Sequence, residues 1–263
     1  MNHISTLLKN YKLLISLALL DFNEQFSGSY LGIIWAIIRP LIFISVIWLI
    51  FSAGIKGNMI DDEVPFILYL LTGYASWMFF STSLTSIMNA FTGNRSLVKR
   101  PSFKIILLPV VKILSSFLLH LVFLSIVVVV MLIMGFYPSI YWLQLPFYMM
   151  MLTILVFGFG LLLASLSVFT KDVSQFVGAL LQVGFWVTPI FWSFSRVPEQ
   201  YLWILNFNPM IYIVNGYRNT FLNHVWFWED TTFLLSFLIY TTLFMVIGIF
   251  IYKKLRPHFG DVL

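Results

Sequence analysis

Residues 30–55 read YLGIIWAIIRPLIFISVIWLIFSAGI. A bilayer-crossing helix takes about 20 apolar residues, and this run is long enough, yet it carries Arg39 followed at once by Pro40. A guanidinium at the bilayer centre costs between about 2.5 and 17 kcal/mol depending on how it is measured. Proline in a helix removes a hydrogen bond as well. Arg39 must either snorkel to an interface or face something other than lipid. Counted from Leu31 it lies about 12 Å deep at 1.5 Å per residue, within reach of snorkelling. Trp35 and Phe43, at i−4 and i+4, stand on the same helix face, and Pro40 frees the carbonyl of Ala36. A lipid-facing helix has little use for that grouping, whereas the mouth of a channel does.

The rest of the chain is of the same kind. Of 263 residues, 60% are hydrophobic, 19% aromatic and 10% charged, against about 25% charged in an average soluble domain. This composition defines an integral membrane protein with one membrane domain. The absence of cysteine excludes disulfides, thiol nucleophiles and thiolate metal sites. A ruler of about 20 residues predicts six spans, at residues 31–54, 66–90, 105–134, 144–169, 174–194 and 231–252, and hence an all-α polytopic fold. Lys9, Lys12, Arg95, Lys99, Arg100, Lys104, Lys171, Lys253, Lys254 and Arg256 then fall on one side. Lys56, Arg196 and Arg218 fall on the other, with Arg39 and Lys112 inside spans. The positive-inside rule makes the first side, with both termini, cytoplasmic. Topology thus accounts for the net charge of +5 without invoking nucleic acid.

Two segments outside the spans are patterned. Within residues 1–28, Ile4, Leu7, Leu8, Tyr11, Ile15, Ala18 and Phe22 recur at helical spacing opposite Ser5, Lys9, Lys12, Ser16 and Asn23. This fits an amphipathic helix in the cytoplasmic interface, or a surface helix of a cytoplasmic tail. Residues 195–228 are too apolar for a solvated loop and too interrupted to span. They predict two short helices parted by Asn208-Pro209, either dipping in as a re-entrant outer hairpin or lying flat as an aromatic belt with Trp203, Tyr212, Trp226 and Trp228.

No phosphate-binding loop, zinc-helix motif, paired intramembrane carboxylates or Ser-His-acid set is present. His120 stands alone in the third predicted span and reads as a packed, hydrogen-bonded side chain. Aromatic rings are abundant instead: Trp35 and Phe43 in the first span, and Phe185, Trp186, Phe191 and Trp192 near the end of the fifth. Most such rings in membrane helices pack in the core or against lipid. A path for a sugar polymer, however, needs flat faces for stacking and few strong polar traps. Thr82, Ser86 and Asn89, at i, i+4 and i+7, add a polar face that lines a path or glues helices. GSYLG (28–32) and GLLLA (160–164) fit the small-xxx-small pattern of close helix packing.

Four stretches together carry a resemblance: FSGSYLGIIWAIIRPLIFISVIWLIFS (26–52), FTKDVSQFVGALLQVGFWVTPIFW (169–192), NFNPMIYIVNGYRN (206–219) and YKKLRPHFGDVL (252–263). They resemble, in order and spacing, the ABC-2 type permeases that export bacterial O-antigen, capsule and teichoic acid. Lys171-Asp172 stands where Arg-Asp is commoner, with the charge kept. The resemblance implies a homodimer in the bacterial inner membrane, driven by two separate ATP-binding-cassette subunits that bind the ATP and Mg, with no cofactor or metal in this chain. It implies an undecaprenyl-diphosphate-linked glycan as substrate, taken from the cytoplasmic leaflet with membrane lipid around it. Arg39 would then meet the carrier diphosphate. Trp35, Phe43, Thr82, Ser86, Phe185, Trp186, Phe191 and Trp192 would line the path. The connection bearing Arg95, Lys99, Arg100 and Lys104 occupies the coupling position on the ATPase, although topology and anionic headgroups also account for those cations. Trp203, Asn208, Pro209, Tyr212 and Arg218 would belong to an outer gate. An ABC-2 exporter of drugs or small lipids, or a membrane transferase acting on lipid-linked sugars, are the competing readings; the latter should show an acidic pair or histidine at the membrane face.

Overall fold

The computed structural model describes residues 11–54, 59–60, 64–192 and 202–263. Ile4, Leu7 and Leu8 of the expected amphipathic helix and the first residues of the outer hairpin, Arg196 among them, lie outside the described residues. Along the chain run α1 (Tyr11–Glu24), α2 (Trp35–Gly54), α3 (Phe66–Met88), α4 (Arg95–Val98), α5 (Leu107–Ile133), α6 (Leu145–Ser167), α7 (Asp172–Val187), α8 (Leu202–Leu205), α9 (Met210–Arg218), α10 (Thr231–Leu255) and α11 (Phe259–Val262). A two-residue antiparallel ladder, Met59–Ile60 with Val64–Pro65, precedes α3.

Among the described residues four segments are long and apolar enough to cross a membrane: Gly32–Ile50, Leu107–Ile133, Ile140–Ser167 and Thr231–Val262. They fall on the first, third, fourth and last predicted spans; α3 and α7 occupy the other two stretches. Hydroxyls make α3 less apolar, and several donate to the helix's own carbonyls, although the buried Ser83 hydroxyl has no partner among the described residues. Thr72 donates to the Leu68 carbonyl (2.9 Å), Ser76 to Gly73 (2.9 Å) and Thr85 to Ser81 (2.8 Å). The helix α7 is shorter than the predicted 174–194. Pro189 disfavours helical backbone in the residue before it, and Thr188 is extended (φ −75°, ψ 136°). The Thr188 hydroxyl donates back to the Gly184 carbonyl at 2.7 Å and closes the last turn.

The helix α3 is the axis of the fold, packing on α5, α6 and α9 with Leu68, Leu70, Ala75, Phe79 and Ile87 buried. In lipid, helices associate through packing and small residues rather than hydrophobic drive. One such contact brings the backbones of α6 and α10 together. A Cβ on Gly158 would stand 2.7 Å from the Met245 backbone, and one on Gly248 would collide with the Gly158 carbonyl oxygen. In GLLLA, Gly160 instead packs on the Ile87 side chain. In GSYLG, Gly28 and Gly32 face open space at positive φ (78° and 52°) and serve the turn from α1 into α2. Gly248→Leu should therefore prise α6 from α10 and remove most folded protein from detergent gel filtration, since overpacking costs about 1–3 kcal/mol or more. Gly260→Ala, with nothing near its Cβ, should elute as wild type.

The amphipathic helix also differs in detail. Leu14, Ala18 and Phe22 form its buried stripe, whereas Tyr11 and Ile15, expected on that face, are exposed. Leu14 packs with Leu107 and Val111 of α5, and Lys112, unexplained inside a predicted span, pairs with Asp21 of α1. At the other end, Asp230 caps α10 by accepting from the Phe233 amide at 3.4 Å, and burial raises its carboxyl pKa.

Candidate transport path

Three helices and the end of α1 enclose a cavity of about 520 Å³. The helix α2 contributes Trp35, Ala36, Arg39, Pro40 and Phe43; α3 contributes Tyr74, Met78, Ser81, Thr82, Thr85 and Ser86. Gln25 and Phe26 close it from the end of α1, and Ser116 and Leu119 from α5. The i±4 face read around Arg39 thus lines one space with the hydroxyl face of α3. Asn89, expected on that face, lines a different groove.

Arg39 is exposed, and its guanidinium carbon stands 5.6 Å from the Trp35 ring centroid, within cation–π range. The Thr82 hydroxyl donates to the Met78 carbonyl at 2.6 Å, so toward the cavity it offers lone pairs. Cationic, aromatic and hydroxyl groups therefore share one space that buries no carboxylate.

Rings continue outward from the cavity. Phe43 stacks on Tyr74 at 4.8 Å, and both approach Phe185, at 5.7 and 6.2 Å. Phe185 meets Trp186 at 5.6 Å and Phe191 at 4.8 Å. The Trp192 indole donates to the Trp186 carbonyl at 3.1 Å, and its own carbonyl accepts from the Tyr69 hydroxyl at 2.9 Å. The aromatics from Phe43 to Trp192 thus form one continuous series, ending at Tyr69.

At Tyr69 the series meets the last residue of α9, Arg218. Arg218, counted from sequence as a cation of the outer side, is 2% exposed. Its guanidinium carbon lies 3.4 Å from the Tyr69 ring centroid, and Nη2 donates to the Ile190 carbonyl at 2.9 Å. Gly73 makes the slot: a Cβ there would stand 2.7 Å from Nη2. Among the described residues Nε and Nη1 have no hydrogen-bond partner. Asn208 ties the start of α9 to the same turn by donating to the Thr188 hydroxyl at 2.9 Å, while its side-chain oxygen caps the Met210 amide at 3.0 Å. Pro209 leads into α9, and the Tyr212 hydroxyl donates to the Phe227 carbonyl at 3.0 Å. Trp203 is exposed beside Phe207. The second of the two short helices expected around Asn208-Pro209 ends at Arg218 and gives way to a π turn, Asn219–Asn223.

On the opposite face, Arg95, Lys99, Arg100 and Lys104 are exposed around α4. Arg95 lines a groove of about 440 Å³ with Lys171, Gln175, Val262 and Leu263. The block beneath it is continuous: the Ser167 hydroxyl donates to the Met88 carbonyl at 2.7 Å, and Phe259 of the C-terminal turn packs on Phe91 at 5.0 Å. His120 is buried, stacks on Phe79 at 4.8 Å and shares a 2.8 Å hydrogen bond with the Tyr217 hydroxyl, as a structural histidine would. No group of three or more metal-ligating side chains occurs among the described residues.

A helical bundle with four candidate spans among the described residues and an open, ring-lined cavity has the architecture of an integral membrane protein. The chain belongs to the ABC-2 type transporter family, whose model matches residues 13–222. It is 26% identical over 255 residues to an O-antigen export system permease protein RfbA of Klebsiella pneumoniae, covering 96% of this chain and 95% of that protein. A Myxococcus xanthus protein of the same description is 26% identical over 216 residues, 81% of either chain. The polysialic acid transport protein KpsM of Escherichia coli is 24% identical over 204 residues, 76% of this chain and 77% of its own.

Proposed function

We propose that the chain is the permease subunit of an ATP-driven exporter of polysaccharide carried on undecaprenyl diphosphate. The observation that carries this is the cavity in which Arg39, Trp35 and Phe43 face the hydroxyls of Thr82 and Ser86. A guanidinium offers a planar fork to a diphosphate, rings offer faces to pyranoses, and weak hydroxyl acceptors do not hold a moving polymer too tightly. The descriptions of the relatives, O-antigen export and polysialic acid transport, support this substrate class. The working unit is a homodimer with six spans per subunit in the bacterial inner membrane, termini in the cytoplasm. Two ATP-binding subunits hold ATP and Mg. The series from Phe43 to Trp192 lines the path, and the hairpin held by Arg218, Asn208 and Tyr212, with Trp203 and Pro209, is its outer gate. Deleting the gene should leave lipid-linked glycan in the cytoplasmic leaflet; normal surface glycan in the deletion, or a change only in drug resistance, would refute the substrate class.

The same reading seats the ATPase on the basic face. Lys99 and Arg100 are exposed beside the groove that Arg95 lines, where they attract acidic partner surface. Reversing both to Glu should weaken copurification of the ATP-binding subunit about tenfold, since like-charge contacts cost kcal/mol amounts. Unchanged complex yield and ATP turnover would leave those cations to topology alone.

A further inference from the structure

Asp21 of α1 and Lys112 of α5 form an ion pair with side chains only 14% and 23% exposed. One turn further, the Gln25 amide donates to the Ser115 hydroxyl at 2.8 Å. Both contacts tie the C-terminal end of α1 to α5, and the second of them reaches the cavity wall through Gln25. Gln25 and Phe26 line the cavity from α1; Ser116 and Leu119 line it from α5. Phe26 meets Phe22 edge-on at 5.5 Å, and this pair packs on Ala36 with Trp35, Leu118 and Leu119 around it. The ring that carries Arg39 therefore rests on a wall whose place is set by how α1 sits on α5. A pair shielded from water is attracted more strongly than a surface pair, and removing one partner strands the other.

We propose that Asp21 and Lys112 are positioning residues for the Arg39 cavity. The pair fixes the seat of α1 on α5 and, through Gln25 and Phe26, the width of the cavity and the aim of Trp35 and Arg39 at an anionic carrier group. Neither charge lines the cavity or touches the carrier. This role rests on the reading of the cavity as the carrier's site.

The test uses the complete permease with its ATP-binding subunits in proteoliposomes, titrated with undecaprenyl-diphosphate-linked glycan while ATP hydrolysis is measured. Asp21→Asn and Lys112→Met should each raise the half-saturating glycan concentration about tenfold, with basal hydrolysis close to wild type even though the stranded partner lowers the apparent melting temperature. The exchanged variant D21K/K112D, which restores the pair in reverse, should recover most of that loss. A merely structural pair would instead lower melting temperature and basal hydrolysis together, with half-saturation unmoved, and that result overturns the proposal. So does an exchanged variant no better than the single ones. Arg39→Gln runs alongside. Lost glycan stimulation there, with normal half-saturation in Asp21→Asn and Lys112→Met, overturns the positioning role and spares the cavity; full stimulation in Arg39→Gln overturns the cavity reading, and the positioning role with it.

Discussion

Arg39→Gln should cut surface glycan per permease by about ten- to a hundredfold, with the amount of protein in the membrane unchanged. Hydrogen bonds to a charged group contribute about 1.5–3 kcal/mol each, and a bidentate fork makes two of them. Glutamine keeps much of the length but loses the charge and the fork. Arg39 is exposed and spans the cavity edge, so its loss strands no buried partner, and insertion should be indifferent to it. Arg39→Lys keeps a point charge without the fork and should restore part of the export. Trp35→Leu should cost less, about two- to fivefold, because an exposed cation–π contact contributes about 0.5–1 kcal/mol. Export by Arg39→Gln at the wild-type level, measured as surface glycan normalised to permease, would return the arginine to the role of interface anchor.

Features with a local period were legible in the sequence, and those that depend on which helices meet were not. Trp35, Arg39 and Phe43 share a face because helical spacing requires it, and they line one cavity. The density of rings after Phe185 was equally plain, but nothing in the string says that Phe43 and Tyr74 reach Phe185 from other helices. The end of α7 was overrun because hydropathy continues through Phe191 and Trp192, although Thr188-Pro189 carried the stop signal. Gly158 and Gly248 lie 90 residues apart and each looks unremarkable alone; their function exists only at the α6–α10 crossing. Arg218 was the costliest misreading. A cation in an interrupted apolar stretch counts as a loop charge until Gly73 opens a slot for it on another helix. Lys112 stood out as an intramembrane charge, yet its partner Asp21 was placed on neither face of the amphipathic helix.

The burial of Arg218 sets up the second large effect, which is non-additive. In the slot the guanidinium gains a desolvated cation–π contact of about 2 kcal/mol and a charged hydrogen bond of about 1.5–3 kcal/mol. Against these stands a desolvation cost of several kcal/mol, with Nε and Nη1 unpartnered among the described residues. The terms nearly cancel, so Arg218→Met, which fills the slot without charge, should shift stability by no more than about 2 kcal/mol in either direction. Tyr69→Leu is different, because it removes the ring and leaves the charge buried, at a cost of about 3–5 kcal/mol. At about 2–4 °C per kcal/mol for a chain of this size, the apparent unfolding temperature in detergent should fall by roughly 10 °C. Tyr69→Phe keeps the ring 3.4 Å from the guanidinium and loses only the hydroxyl bonded to the Trp192 carbonyl, costing about 1 kcal/mol. The double variant Tyr69→Leu with Arg218→Met should unfold close to Arg218→Met alone, since the stranded charge is gone. If the gate reading holds, Tyr69→Leu also opens the hairpin, and a cysteine at Trp186 should react with a periplasmic thiol reagent without ATP; in the double variant it should be protected again. Stability losses that simply add would show that the ring and the guanidinium do not act as a pair.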